Sequence, residues 1–191
     1  MAAYCANKAE ATAKILDIVP VNSTVGISGS MTLEALGVLK QLEARGTKVF
    51  NQNKPGISRE ESMQLRKDGV MAEYYLLSPN AISEKGELVF MSAYGNRIAG
   101  VSNAKNVLVI SGMNKIAHDL SEALKRAREY ATPLNCKRLN YNSACNQDGI
   151  CRKEICLAPE YKRMCCQILV IEAESIPGRF NVILVGENLG F

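Results

Sequence analysis

The chain has 191 residues, of which 47% are hydrophobic and 22% charged, a composition typical of a globular protein. We expect a single domain over residues 1–191. The net charge of +4 comes from basic residues mixed with acidic ones, and tryptophan is absent, so nucleic-acid binding is not expected. No apolar run approaches the roughly 20 residues of a membrane span, and no export signal opens the chain. We therefore expect a cytoplasmic protein without a nucleic-acid or membrane partner.

Predicted helices and strands alternate along the chain. Apolar residues at helical spacing indicate the helices, and short apolar runs indicate the strands. Gly46 follows the second helix, Ser58 and Glu61 form a capping box for the third, and Pro133 lies beyond the fourth. Helices are predicted over residues 6–18, 32–44, 59–67 and 115–130, and strands over 25–27, 48–50, 73–77, 106–110, 167–173 and 180–185.

This alternation predicts an α/β fold with a mainly parallel sheet flanked by helices. The two last strands are separated only by a short turn around Pro177 and Gly178. At least one of them is therefore expected to run antiparallel. Residues 140–164 show no sustained periodicity, and we expect this cysteine-rich segment to leave the sheet as a loop near the C-terminus.

The first candidate site is the segment GISGSMT at residues 26–32, which follows a predicted strand and opens a helix. Gly29 allows a tight turn, Ser30 and Thr32 offer hydroxyls, and the free N–H groups of a helix N-terminus attract anions. The segment lacks the lysine of a Walker A loop and the spacing of a dinucleotide site. The alternative is a plain turn in which Ser30 only caps the helix.

The second candidate site combines the segments SPNAISEKG at residues 78–86 and YGNR at residues 94–97. Glu84 could transfer protons if it were desolvated, and Arg97 could hold a carboxylate or phosphate with two hydrogen bonds. Asn80 and Asn96 supply amide groups beside them. Because both segments follow predicted strands of one sheet, we expect them to meet the first site in a single cleft. The alternative is a pair of turns, with residues 85–86 at a hairpin tip.

Seven cysteines form the third candidate feature. In a reducing compartment a late cluster favours metal binding, redox chemistry or inert packing. Four thiolates can hold Zn²⁺ or an iron–sulfur cluster, although no C-x₂-C pair is present. Empty thiols in a loop, or adventitious disulfides, remain the alternative. Cys5 and Cys136 stand alone and Cys166 is interpreted as core, which leaves as candidate ligands Cys145, Cys151, Cys156 and Cys165.

Several motifs together resemble the lactate-utilisation (LUD) family, formerly a domain of unknown function. GISGSMT is similar to the family's G-x-G-G-S-M-T, NKPGIS (53–58) to its D-P-G-L-S, and NAISEKGELV (80–89) to its N-A-I-T-E-D-G-x-L-V. The segments GNR (95–97), VISGMNKI (109–116), ATPLN (131–135) and VILVGENLGF (182–191) also match. One branch of the family carries four cysteines in the pattern C-x₅-C-x₂-C-x₆-C. Cys145, Cys151, Cys156 and Cys165 follow the same order with longer second and third gaps. Ser92 stands where members often carry an aspartate before G-N-R.

The resemblance implies the fold of ribose-phosphate isomerases, glucosamine-phosphate deaminases and CoA transferases, in which the glycine-serine-threonine loop binds phosphate or another anion. It also implies a role in using L-lactate or a related organic acid beside iron–sulfur oxidoreductase subunits. Two other functions stay open. The chain could act alone on a small phosphorylated or carboxylated metabolite, with Ser30, Thr32 and Arg97 holding the anion and Glu84 moving a proton. It could also bind such a metabolite without turnover, as a monomer or a homo-oligomer.

Overall fold

The computed structural model describes all 191 residues, which form two β-sheets with helices around them. None of the helices combines the length and the apolar character of a membrane span. In chain order the elements are β1 (Ala2–Cys5), α1 (Lys8–Ile18), β2 (Thr24–Ile27), α2 (Met31–Leu36), α3 (Val38–Ala44), β3 (Lys48–Phe50), α4 (Arg59–Val70), β4 (Tyr74–Leu77), β5 (Ala81–Ser83), β6 (Leu88–Ser92), α5 (Asn96–Asn103), β7 (Asn106–Gly112), β8 (Ile116–Ala117), α6 (Leu120–Arg126), α7 (Thr132–Arg138), β9 (Gln167–Ile171) and β10 (Phe180–Val185).

The chain divides into two compact units, each built from separated segments. The first unit comprises Met1–Ser78, Asn96–Asn114 and Glu174–Gly190. The second unit comprises Pro79–Gly95 and Lys115–Ala173, together with Phe191. The single-domain organisation stays a prediction.

Six parallel strands form the sheet of the first unit, in the order β1-β10-β7-β4-β2-β3. The expected α/β fold with a mainly parallel sheet flanked by helices is confirmed. Strand β7 is central, and its residues from Val107 to Gly112 are all buried, as a strand covered on both faces requires.

Helices cover both faces of this sheet. Apolar side chains of α1, α2 and α3, including Ile15, Leu33 and Leu42, pack against alternate strand residues such as Val25 in one core. On the other face α4 approaches β2 closely, because a Cβ on Gly26 would lie 1.9 Å from the carbonyl oxygen of Gly69. This glycine is therefore needed for helix–sheet packing rather than for a turn.

The strand order changes direction between β2 and β4. These strands are neighbours, but the chain leaves β2 toward β3 on one side and leaves β4 toward β7 on the other. Loops that diverge in this way open a crevice beyond the carboxyl ends of the two strands, where open α/β sheets bind ligands. The segment that begins at Ser28 lies at this position.

The second unit contains a smaller sheet in the order β8-β5-β6-β9. Its strands β5, β6 and β9 pair antiparallel, and β8 adds in parallel to β5. Ala81 and Val89 from the sheet pack with Ala123 and Ala127 from α6 and the π-helical turn that follows it. The sequence pattern did not predict this second sheet.

Two predicted helices have different limits in the structure. The helix expected over residues 32–44 is two helices, because Gly37 adopts a left-handed backbone with φ of 62° and ends α2. The helix expected over residues 115–130 begins only at Leu120, where the side chain of Asp119 caps it. It then continues through the π-helical turn into α7, whose first turn contains Pro133.

One strand of the late pair runs antiparallel, as expected, but its partner is not the other strand of the pair. Strand β9 runs antiparallel to β6 in the second unit, whereas β10 lies between β1 and β7 in the parallel sheet of the first. The turn around Gly178 therefore connects two sheets and does not form a hairpin. Between Arg138 and Gln167 the chain contains turns but no helix or strand.

Candidate functional site

The loop after β2 carries the first candidate site. Ser30 is the N-cap of α2, and its hydroxyl oxygen accepts a hydrogen bond from the Leu33 amide at 3.3 Å. The preceding residues contact Arg97, whose Nε donates to the Ser28 hydroxyl at 3.2 Å and whose terminal nitrogen donates to the Gly29 carbonyl at 3.0 Å. Arg97 and Gly29, which the sequence placed in two separate candidate segments, are therefore in direct contact.

Helix α5 brings Arg97 to this loop. A Cβ on Gly100 would lie 2.2 Å from the ring of Tyr75, so only glycine lets α5 lie directly over that ring. The Tyr75 hydroxyl donates to the Asn96 carbonyl oxygen at 3.0 Å and fixes the start of the helix. Asn96 thus contributes a main-chain hydrogen-bond acceptor. Arg97, the next residue, directs its guanidinium toward the Ser28 loop.

Burial dominates the electrostatics of this cluster. It lowers the pKa of Arg97, and the nearby Tyr75 acts in the opposite direction. Burial raises the pKa of Tyr75 to about 12, while the Arg97 charge and hydrogen bonds with Ser28 and Asn96 partly oppose the shift. At neutral pH the cluster therefore combines a guanidinium cation with an un-ionised phenol.

Thr32 has a structural environment. The residue is fully buried, and its Oγ1 lies 3.1 Å from the Ser78 hydroxyl and 3.1 Å from the Leu189 carbonyl oxygen. Thr32 therefore joins α2 to the end of β4 and to the segment after β10. Its predicted role as an anion ligand gains no support from this position.

Asn80 and Glu84 lie in the second unit. The side-chain oxygen of Asn80 accepts a hydrogen bond from the Met91 amide at 2.8 Å. The main-chain carbonyl oxygen of Asn80 accepts a hydrogen bond from the Arg126 guanidinium at 2.6 Å. Glu84 is exposed in the turn between β5 and β6, where Gly86 has φ of 96°. The predicted hairpin tip at residues 85–86 is present, and Glu84 is exposed there rather than desolvated. A common cleft for Asn80, Glu84 and Ser30 stays a prediction.

The four candidate cysteine ligands line one cavity of about 10 Å³ in the second unit, and Cys136 from α7 lines it too. All are free thiols. No three of the His, Cys, Asp and Glu side chains are arranged around a point where one metal ion could sit. The cysteines therefore share a cavity without forming a preorganised ion site.

Basic side chains line the same cavity: Arg128, Arg152, Lys153 and Arg163. The buried Nε atoms of Arg128 and Arg163 have no hydrogen-bond partner. A hydrogen bond to Cys165 raises the pKa of Arg163. Unsatisfied guanidinium N–H groups therefore lie beside five thiols at this cavity.

Three parts of these sites were not predicted from the sequence. Cys136 was set apart, although it lies nine residues before Cys145 and could have been included on spacing. The hydroxyl of Ser28 and the ring of Tyr75 support Arg97 only through tertiary packing, for which the sequence holds no local pattern.

Comparison with known proteins identifies the relatives of this architecture. The LUD domain model matches residues 1–185. A crystal structure of a DUF162 family protein from Deinococcus radiodurans is similar, with a TM-score of 0.52 and 12% identity over 97% of this chain and 88% of that chain. Ribose 5-phosphate isomerase A from Neisseria gonorrhoeae gives a TM-score of 0.38 and 15% identity, over 59% of this chain and 54% of that chain. No curated protein matches the sequence.

The family match covers nearly the whole chain and runs through both units. The likeness to the Deinococcus radiodurans protein supports the same fold independently. The chain therefore belongs to the LUD domain family, formerly DUF162, and this membership supports a role of the lactate-utilisation type in general.

Proposed function

We propose that this protein binds the carboxylate of a small organic acid, L-lactate or a close relative, as a component of its oxidation by iron–sulfur partner subunits. The observation that carries the proposal is the contact between the Arg97 guanidinium and the loop of Ser28 and Gly29. A guanidinium presents parallel N–H donors that match the two oxygens of a carboxylate.

The position of this cation supports a binding role. It lies beside the loop that leaves β2, next to the strand-order reversal between β2 and β4. The Ser28 hydroxyl and the Gly29 carbonyl hold the guanidinium at this loop. Ser30 stands at the start of α2 in the same loop. The proposed carboxylate would lie at this loop, between the guanidinium and the start of α2.

Shared chemistry with partner subunits follows from what oxidation requires. Converting a 2-hydroxy acid to a 2-oxo acid removes two electrons and two protons, and an electron acceptor must take the electrons. Glu84, the proposed proton carrier, lies in an exposed turn of the second unit. The proposal therefore assigns acid binding to this chain and electron transfer to iron–sulfur oxidoreductase subunits.

Calorimetric titration of the purified chain with L-lactate tests the acid-binding part, with inorganic phosphate as a second ligand. We expect L-lactate to bind and Arg97→Gln to weaken binding at least tenfold. Arg59→Gln is the control, because it removes an exposed positive charge from the first turn of α4 in the same unit. Arg97→Lys keeps the charge but loses the planar fork, and we expect an intermediate affinity.

The outcomes separate the possible functions. Phosphate could bind more tightly than L-lactate and lose its affinity in Arg97→Gln. That result would favour a phosphorylated metabolite and contradict the carboxylate assignment. Unchanged L-lactate affinity in folded Arg97→Gln would remove the proposed site. Turnover of L-lactate by the chain with a soluble electron acceptor and no partner subunit would contradict the division of labour.

A further inference from the structure

The side chain of Asn53 lies beside the loop of the proposed carboxylate site. Strands β2 and β3 pair in parallel, with Gly26 opposite Phe50, so the chain leaves both strands at the same edge of the sheet. A Cβ on Gly29 would lie 2.8 Å from the amide nitrogen of Asn53, and the three atoms nearest to that Cβ all belong to Asn53. The amide group therefore packs directly against the main chain of Gly29.

Arg97 contacts the same glycine from another direction. A terminal nitrogen of its guanidinium donates to the Gly29 carbonyl oxygen at 3.0 Å. Gly29 thus has a cation at its carbonyl group and the Asn53 amide beside its α-carbon, all within the first unit. A small ligand that Arg97 holds at this loop would therefore lie within reach of the amide.

The main chain around Asn53 is held in place while its side chain stays available. The Asn53 N–H donates to the side-chain oxygen of Asn51 at 2.9 Å, and the Ser62 hydroxyl donates to the Gln52 carbonyl oxygen at 2.9 Å. On the other side, the Lys54 ammonium lies 3.0 Å from a carboxylate oxygen of Glu43. Asn53 itself is exposed, and its side-chain amide makes no hydrogen bond within the protein.

The chemistry of an amide differs from that of the guanidinium beside it. A guanidinium only donates hydrogen bonds, which suits a carboxylate, whereas an asparagine amide both donates and accepts. A hydroxyl also donates and accepts. A 2-hydroxy acid carries its hydroxyl on the carbon next to the carboxylate, so a carboxylate on Arg97 would bring that hydroxyl toward Asn53.

We propose that the Asn53 amide hydrogen-bonds the 2-hydroxyl of the acid and makes the site selective for 2-hydroxy acids over plain carboxylic acids. The inference rests on the proposed carboxylate site at Arg97. Asn53 is a binding residue and moves no proton or electron. Gly29 is a positioning residue, because any side chain at this position would displace the amide.

Calorimetric titration of the full chain with L-lactate and with propionate, which lacks the hydroxyl, tests this inference. We expect the wild type to bind L-lactate about fivefold more tightly than propionate. Asn53→Ala should weaken L-lactate binding by about fivefold, the effect of one hydrogen bond between uncharged groups, and leave propionate binding nearly unchanged. Asn103→Ala is the control, because it removes an exposed amide of the same unit at the far end of α5.

Gly29→Ala gives a second test in which Asn53 itself is kept. Gly29 does not adopt a left-handed backbone, and the new Cβ would meet only the end of a side chain, so the variant should stay folded. The methyl group should displace the amide and lower the ratio of L-lactate to propionate affinity as Asn53→Ala does. The two substitutions together should lower this ratio no further, because both remove the same contact.

The outcomes distinguish this inference from the proposed function. An unchanged affinity ratio in Asn53→Ala, or equal binding of the two acids by the wild type, would overturn the inference while Arg97 dependence of both acids is retained. Additive losses of selectivity in the double variant would contradict the positioning role of Gly29. Binding of both acids without dependence on Arg97 would overturn the proposed function, and this inference with it.

Discussion

The Tyr75 hydroxyl donates a hydrogen bond to the main-chain carbonyl oxygen of Asn96, with 3.0 Å between the two oxygens. This bond joins the sheet to the first residue of α5. Arg97 is the next residue, so the bond also fixes the position of the main chain from which the Arg97 side chain extends. A phenol buried inside the first unit thus positions the cation of the proposed carboxylate site.

Tyr75→Phe should lower stability at neutral pH and change its dependence on alkaline pH. Loss of the hydrogen bond costs about 1 kcal/mol at pH 8. Because the pKa of Tyr75 is about 12 in the folded chain and its ordinary value is 10.0, the unfolded chain releases this proton first as the pH rises. The wild type therefore loses stability between pH 10 and pH 12, and the variant, which has no phenol to ionise, does not. At pH 11 this loss amounts to about 1 kcal/mol.

Urea denaturation of both proteins at pH 8 and pH 11 measures this difference. The stability gap in favour of the wild type should shrink or reverse at the higher pH. A constant gap would mean that Tyr75 ionises at the same pH in the folded and the unfolded chain.

Gly100→Ala should destabilise the protein although it improves helix propensity. The new Cβ would lie 2.2 Å from the Tyr75 ring, which sits in a packed interior, and overpacking of this kind costs about 1–3 kcal/mol. Gly69→Ala is the matched control, because it adds a Cβ to another helical glycine of the same unit, where the nearest atoms lie at 3.4 Å.

Thermal unfolding of the two variants provides the comparison. Gly69→Ala should leave the melting temperature unchanged or raise it, since alanine restricts the unfolded chain. Equal effects of the two substitutions would show that α5 can move away from the ring without cost.

Thr32→Val should cost more stability than Thr12→Val. Valine keeps the shape of threonine but removes the hydroxyl, which in Thr32 lies within hydrogen-bonding distance of both Ser78 and Leu189. In Thr12 the hydroxyl makes one bond, to the Leu36 carbonyl at 3.3 Å. We expect losses of about 2 and about 1 kcal/mol, respectively. Chemical denaturation gives both values, and a smaller loss at Thr32 would contradict its role as a junction between three segments.

The parallel sheet could be predicted because its strands have strong local patterns. Strand β7 is a continuous apolar run, and Ser58 marks the start of α4 by its own side chain, which accepts from the Glu61 amide at 3.1 Å. These features depend on neighbours in sequence. Buried parallel strands and capped helices are therefore recognisable before any tertiary contact is known.

The second sheet could not be predicted in the same way. Strands β5 and β8 have three and two residues, too few for a period to be visible. Strand β9 pairs with β6, which lies far from it in the chain. The short turn between β9 and β10 had instead suggested β10 as the partner of β9. Gly37 stopped a helix whose apolar spacing continues without interruption, because spacing does not report the sign of φ.

The candidate sites show the same limit. Ser30 was recognisable as a cap and Arg97 as a candidate anion-binding residue, but the contact of Arg97 with Ser28 depends on Tyr75 and on Gly100 of α5, which packs over the Tyr75 ring. Those contacts are set by packing, which one sequence does not reveal.

The pairing of β1 with β10 has a consequence for how the protein is made. The register joins Ala2 to Val182, so the strand nearest the start of the chain finds its only partner near the other end. At ~5–20 residues per second a ribosome needs on the order of ten seconds or more to synthesise the intervening chain. During that interval β7 also lacks β10, and the edge from Val107 to Ile110, which is fully buried in the finished sheet, stays open to other chains. Until β10 emerges, this edge of β7 is therefore open to pairing with other chains, and a chaperone that covers β7 would protect it.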